Sequence, residues 1–265
     1  MSNNTKETKS KVMITLEEAF AIVMDSSFST GSERIQFTRS LNRILAEDVI
    51  SDVDMPPFDK ATVDGFACRR TDLGSELDVI ETIPAGKWPE KKVGSMQCSR
   101  IMTGAAIPEG SDCVIMVEDT GIVAPERIRF TGNYTKENIA LKGEDVRNGD
   151  IVLKAGCMIR PQDIAVMATV GSTTVTVGRM PDIAVISTGS ELVEPSEIPG
   201  ISRIRNSNSW QLMALIERAG ANGRYYGIAR DNEEETFKLV SQAIAENQIV
   251  LITGGVSMGD FDFVP

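Results

Sequence analysis

The sequence predicts an α/β protein of several domains, β-rich in its N-terminal part and ending in a doubly wound parallel sheet. A length of 265 residues gives room for more than one compact domain. From Asp78 to Arg129 short β-branched runs alternate with Gly and Pro and no long helical period appears, which fits a small β-rich domain. After Arg179-Met-Pro181 the rhythm changes to strand, helix, strand, helix, strand, the pattern of parallel βαβ units. The boundaries read as a polar, disordered tail over 1–12, a linking domain of helices and strands from 13–50 plus 144–180, a β-rich domain over 51–143, and an α/β domain over 181–265.

Charged residues make up 25% of the chain and hydrophobic ones 42%, ordinary values for a globular protein. Lys+Arg 27 against Asp+Glu 38 leaves a net charge of -11, which argues against a nucleic-acid partner, because phosphate neutralisation needs basic side chains. An anionic small ligand remains compatible, since local field and backbone N–H groups govern such a site. Histidine is absent, which removes Ser-His-Asp and Cys-His nucleophile systems and histidine metal sites together. Acid–base work then falls to Asp, Glu, Lys, Tyr or Cys. Cys68, Cys98, Cys113 and Cys157 are widely spaced without a C-x-x-C pair, a usage that suits a reducing cytoplasm. The polar N-terminus lacks an apolar signal core, and no apolar run approaches membrane-spanning length. The expectation is an unexported, cytoplasmic protein with no membrane partner.

Taken in order, Thr15-Leu-Glu-Glu18 has capping-box spacing, and Leu16, Ala19, Phe20 and Val23 repeat at helical spacing, so a helix runs to about Asp25. Residues 41–50 read as a short helical turn running into a strand. In Met55-Pro-Pro-Phe-Asp-Lys-Ala-Thr-Val-Asp-Gly-Phe-Ala67 two prolines stiffen an extended path, and Asp64-Gly65 is a turn dipeptide. As bare pattern, Asp59 and Asp64 are solvated aspartates of a stiff turn. Strand-like runs follow at 79–80, 100–102, 113–117 and 127–130, and Thr103-Gly104-Ala-Ala-Ile-Pro108-Glu-Gly110 reads as a surface hairpin. Pro161 suits a first helical turn and Gly171 a C′ position, with a strand over 173–177 behind them.

In the α/β part, 182–186 is a buried-type strand ending in Ser187-Thr-Gly-Ser-Glu-Leu192. Asn208 or Ser209 caps a helix bearing Leu212, Leu215, Ile216 and Ala219 and closed by Gly220. A strand over 224–228 leads to a helix capped by Asp231 or Asn232, with Phe237, Val240 and Ile244 as its apolar stripe. The strand 249–252 then ends in Thr253-Gly254-Gly255, with Ser257 and Asp262 further on. Glycines there serve an ordinary strand-to-helix connection as well as an anion loop. Two matched loops, however, emerge on one edge of a parallel sheet, where ligands bind in open α/β folds. Ser187, Thr188 and Gly189 and Thr253, Gly254 and Gly255 are thus expected to face a common ligand, and their hydroxyls and backbone N–H groups suit a phosphate. Glu191, Asp231 and Asp262 are hard-oxygen candidates for a divalent cation, although carboxylates at loop starts are singly more often helix caps.

Five segments, Pro57-Phe-Asp-Lys-Ala-Thr-Val-Asp-Gly-Phe-Ala67, Arg100-Ile-Met-Thr-Gly-Ala105, Gly143-Glu-Asp145, Ser187-Thr-Gly-Ser-Glu-Leu192 and Gly254-Gly-Val-Ser-Met-Gly259, resemble in sequence and order those of the molybdopterin molybdenumtransferases, the family that includes the gephyrin E domain. The resemblance covers about residues 13 to 265. It implies a transferase of molybdenum cofactor biosynthesis that inserts molybdenum from molybdate into adenylylated molybdopterin, releases AMP and is assisted by Mg2+. It implies catalytic roles for Asp64, Thr103, Glu191, Asp231 and Asp262, the last three also as metal ligands. Ser187, Thr188, Gly189, Asn206, Thr253, Gly254, Gly255 and Ser257 become substrate-binding candidates in a molybdopterin-binding domain. The resemblance further implies a homodimer whose site lies between subunits.

Carboxylates suit this chemistry, since cations must bridge acidic protein groups to molybdate and pterin phosphates. Positioning and electrostatics, without a covalent enzyme intermediate, agree with the missing histidine. Family members continue with a Lys-Pro-Gly-Lys-Pro type segment and a further β-rich domain, so the chain is expected to be a fragment of a longer protein, with its α/β domain incomplete. Two alternatives stay open: a non-catalytic scaffold that retains the fold, and a general binder of phosphate-bearing ligands.

Overall fold

A computed structural model describes residues 14–230 and 232–255. Helix α1, Leu16–Asp25, begins as its capping box requires: the Thr15 hydroxyl accepts from the Glu18 N–H at 3.2 Å, and the Glu18 carboxylate accepts from the Thr15 N–H at 2.8 Å. The chain divides into two compact units, one of residues 34–177 and one joining residues 1–33 to 178–265.

The first unit is built on a six-stranded sheet of β1 (Gly65–Cys68), β2 (Glu76–Ile83), β3 (Gln97–Ile101), β4 (Cys113–Met116), β5 (Thr120–Ala124) and β6 (Arg127–Phe130). Its order is β4-β1-β3-β2-β6-β5, antiparallel except for the β2–β3 pair. Alternation gives it two apolar faces. Phe66, Cys68, Leu77, Cys98, Cys113, Ile115 and Ile128 fill one, and Ala61, Ala67, Ile83, Ile101, Ala105 and Val114 the other. Cys68 stands opposite both Cys98 and Cys113 in the ladder and all three are fully buried in the sheet core, where burial pushes the Cys98 thiol up to about 12. A separate core of Leu45, Val49, Ile159, Met167, Val170, Val175 and Val177 gathers around α2, Pro161–Thr169. Here Pro161 opens the helix and Gly171, at φ 73°, closes it. The helical turn expected within 41–50 falls earlier, as a 3-10 turn at Phe37–Arg39, and the later segment pairs through Leu45 and Val49–Ile50.

The second unit carries a parallel three-stranded sheet of β7 (Asp182–Thr188), β8 (Asn222–Ala229) and β9 (Ile249–Thr253), in the order β8-β7-β9. The chain moves outward to β8 and returns past β7 to β9, so the order reverses at β7–β9, the topological switch point. Helix α3 (Asn208–Arg218) meets one face, where Met213 and Ile216 lie over Gly223. Helix α4 (Glu233–Glu246) covers the other through Ala243, Leu239 and Val240, against Ala184, Ile186, Val250 and Ile252.

Three further sequence expectations need correction. Ser187 and Thr188 are the last residues of β7, not the start of its loop, because both pair with β8. Helix α3 is capped at Ser207, without a side-chain cap, and the Asn206 side chain accepts the Ser209 N–H at 3.2 Å instead. On α4, Phe237 and Ile244 are exposed; the buried positions are Thr236 and Ala243, one residue round the helix from the expected stripe. Asn232 caps that helix as one of the two expected residues, accepting from the Glu235 N–H at 3.0 Å.

Candidate functional site

Functional candidates occupy two places, one in each unit. In the β-rich unit, Asp64 directly precedes β1 and Thr103 follows β3, so adjacent strands bring the two together. Asp64 Oδ1 accepts the Thr103 N–H and its hydroxyl, each at 2.7 Å. These two bonds, the backbone one first, hold the exposed carboxyl below the usual carboxylate range, with the charge of Arg100 adding to the effect. Asp64 is therefore ionised at neutral pH, with Oδ2 left for other partners. The Thr103 turn is fixed in place. Met102 donates to the Ile83 carbonyl at 3.2 Å, Gly104 to that of Ala61 at 2.8 Å and Ala105 to that of Met102 at 2.9 Å. Gly65 is required because a Cβ there would lie 1.9 Å from the Ile115 carbonyl oxygen. The Asp-Gly pair that reads as a turn signal is thus a close approach of two strands, which leaves Asp64 at the rim.

At the carboxyl edge of the parallel sheet the expected side chains converge on each other. The Ser187 hydroxyl, fully buried, reaches Asn206 Oδ1 at 3.1 Å, the Ser209 hydroxyl at 2.5 Å and the Thr253 hydroxyl at 3.0 Å. Asn206 Nδ2 donates to the Tyr225 hydroxyl at 2.9 Å, which donates to Glu194 at 2.7 Å. Burial, then the Glu194 carboxylate, pushes the Tyr225 phenol up to about 12. This network ties the ends of β7 and β9 to the start of α3, and it satisfies its own polar groups. What the edge offers outward is mostly backbone. Gly189 (φ 139°), Gly254 (φ 85°) and Gly255 (φ 61°) hold conformations that favour glycine, and a Cβ on Gly254 would stand 2.4 Å from the Thr188 carbonyl oxygen.

Glu191 is exposed, and its carboxylate lies over Gly189, 2.5 Å from where a Cβ would be. Its hard oxygens fit magnesium by donor type. Among the described residues no group of three or more Cys, Asp or Glu forms a metal-holding cluster. Asp231, Ser257 and Asp262 lie outside the described residues. Sequence reading missed Ser209, Tyr225 and Arg100. The first two complete the hydroxyl network and Arg100 flanks Asp64, contacts set by strand register and helix placement.

Two family models match the chain: the MoeA N-terminal region (domain I and II) over residues 14–171, and a probable molybdopterin binding domain over 184–265. The molybdopterin molybdenumtransferase of Staphylococcus aureus (strain Mu50) is 40% identical over 95% of the chain, and that of Staphylococcus epidermidis (strain RP62A) is likewise 40% identical. The chain spans 62% of the length of these curated relatives. A crystal structure of the molybdopterin biosynthesis MoeA protein from Pyrococcus horikoshii superimposes with a TM-score of 0.82 at 35% identity, over 90% of this chain and 65% of that one. With a model that spans more than half of its residues, the chain belongs to the molybdopterin molybdenumtransferase (MoeA) family.

Proposed function

We propose that this chain acts in molybdenum cofactor biosynthesis, in the insertion of molybdenum from molybdate into adenylylated molybdopterin with release of AMP. The observation that carries the reading is the Asp64–Thr103 pair: an exposed carboxylate, kept ionised by two short hydrogen bonds, at the rim of a sheet in a chain of this family. One carboxylate oxygen is spent on orientation and the other is open to a substrate group or a cation. Because the Thr103 hydroxyl donates to Asp64, its remaining capacity is to accept, so it orients a donor or a cation. The second unit would supply the pterin side, holding phosphate through the backbone of Gly254 and Gly255, since the Gly189 N–H is spent on the Ala229 carbonyl at 3.1 Å, while the Ser187–Asn206–Ser209 network fixes the sheet edge.

Magnesium, where bound, would be held by Glu191 with Asp231 and Asp262, and would neutralise charge between the acidic chain and its anionic substrates. A homodimer is supported by α1, none of whose residues is buried: Leu16, Phe20 and Val23 are 82%, 65% and 67% exposed. A monomer at micromolar concentration by sedimentation would remove that support. A cytoplasmic setting agrees with the free cysteines. The function is tested by supplying adenylylated molybdopterin and magnesium and following AMP with and without molybdate. Release that rises with molybdate is the expected result, and release indifferent to molybdate would contradict the reading.

A further inference from the structure

We propose that Arg100 is an oxoanion-binding residue beside the Asp64–Thr103 pair, holding a tetrahedral oxoanion of the substrate between that pair and the cleft that Arg100 lines on the same sheet face. The inference rests on the proposed function and assigns its anion a place. Arg100 stands opposite Phe66 across β1–β3 and opposite Thr82 across β2–β3. Asp64 and Phe66 are two residues apart, so alternation puts Asp64, Phe66 and Arg100 on one face, with Asp64 and Arg100 as diagonal neighbours. Arg100 lines a cleft of about 470 Å³ together with Phe66, Val79, Thr82 and Ile128, and Asp64 and Thr103 stand outside that lining, on the other side of Arg100 along the sheet rim.

Of the four charged residues lining this cleft, Arg127 and Glu81 are committed, while Arg100 and Glu126 have no ion pair or side-chain hydrogen bond among the described residues. Arg127 is neutralised by Asp78 at 2.7 Å and Glu76 at 3.9 Å. The Glu81 carboxylate is turned onto the backbone N–H groups of Glu90 at 2.9 Å and Lys91 at 3.1 Å. Arg100 is exposed and has no ion pair or side-chain hydrogen bond among the described residues. Asp64 feels its charge without bonding to it. A carboxylate alone would repel molybdate or a phosphate; a guanidinium beside it offsets that repulsion and presents two parallel N–H groups matched to a tetrahedral oxoanion.

The test uses the full chain with Arg100→Gln and Arg100→Lys, recording the melting temperature of each. Molybdate, with tungstate as an alternative oxoanion, is titrated calorimetrically, and adenylylated molybdopterin separately. Arg100→Gln is expected to weaken one of the two by about tenfold to a hundredfold at unchanged melting temperature, with Arg100→Lys between. Loss confined to molybdate identifies molybdate as the bound anion, and loss confined to the pterin identifies its phosphate. Wild-type affinity of Arg100→Gln for both, or no measurable binding of either by the wild type, overturns the proposal. If Arg100→Gln binds both normally while molybdate-dependent AMP release persists in the wild type, the function stands without Arg100. Oxoanion binding that depends on Arg100, without molybdate-dependent AMP release, keeps the site and removes the function.

Discussion

The two candidate regions spend their polar side chains in opposite ways. At the edge of the parallel sheet, Ser187, Asn206, Ser209 and Thr253 are bonded to each other, and Ser187 and Ser209 are fully buried. At the rim of the β-rich sheet, Asp64 uses one oxygen, Thr103 keeps an accepting hydroxyl and Arg100 has no ion pair among the described residues. The difference separates shape from chemistry. A loop whose hydroxyls are saturated can hold a ligand only through its backbone, and a rim with open valences can take part in a reaction. Side-chain deletions should therefore unfold the first region and disarm the second.

The largest effect tests whether the rim depends on one close approach. Gly65→Ala would push a Cβ into the Ile115 carbonyl, which must force β1 and β4 apart, at about 3 kcal/mol or more. Urea unfolding checks this, and a loss under about 1 kcal/mol would show that the strands yield easily. Asn206→Ala comes next. It removes the acceptor of Ser187 and of the Ser209 N–H and the donor to Tyr225, and should destabilise by about 2 kcal/mol in the same assay. An unchanged midpoint would mean that the network is not what holds the edge.

Smaller effects concern protons. Thr103→Ala removes the hydroxyl bond and should raise the Asp64 pKa, read by carboxyl carbon NMR. A folded pKa held low contributes stability above the unfolded value near 3.8 and loses it as pH falls through the folded one. In the variant that acid-side loss begins at higher pH, and an unshifted Asp64 would point to the backbone bond alone. Tyr225 has the reverse sign. Its folded pKa of about 12 exceeds the ordinary 10.0, so its contribution is complete below pH 10 and fades as pH rises towards 12. Tyr225→Phe should flatten that alkaline decline in melting temperature, and an identical decline would assign it to other groups.

Much of the fold is legible in the sequence because local chemistry agrees with tertiary placement. Thr15 and Glu18 cap α1, Pro161 and Gly171 bracket α2, and the strand–helix rhythm after Pro181 gives the parallel sheet. Of the expected α4 stripe, Val240 packs on the sheet but Phe237 and Ile244 are apolar yet exposed, and hydrophobicity alone does not say which face meets the sheet. Of the site, Asp64 and Thr103 were named as candidates one by one, and their hydrogen bonds to each other come from the placement of adjacent strands. What pattern could not show is that Ser187 turns inward to Ser209 or that Arg100 stands diagonal to Asp64. Register decides both, and a shift of one residue would reverse every side chain.

The central claim, that the β-rich rim does chemistry and not merely structure, is tested most directly by Asp64→Asn. AMP release from adenylylated molybdopterin should be followed with and without molybdate, alongside urea unfolding of the same preparation. The account predicts that molybdate-dependent release falls by about a hundredfold or more while the protein stays fully folded under the assay conditions, its unfolding midpoint falling only slightly. Wild-type release by Asp64→Asn, or a loss of release that only tracks a loss of folded protein, would contradict it.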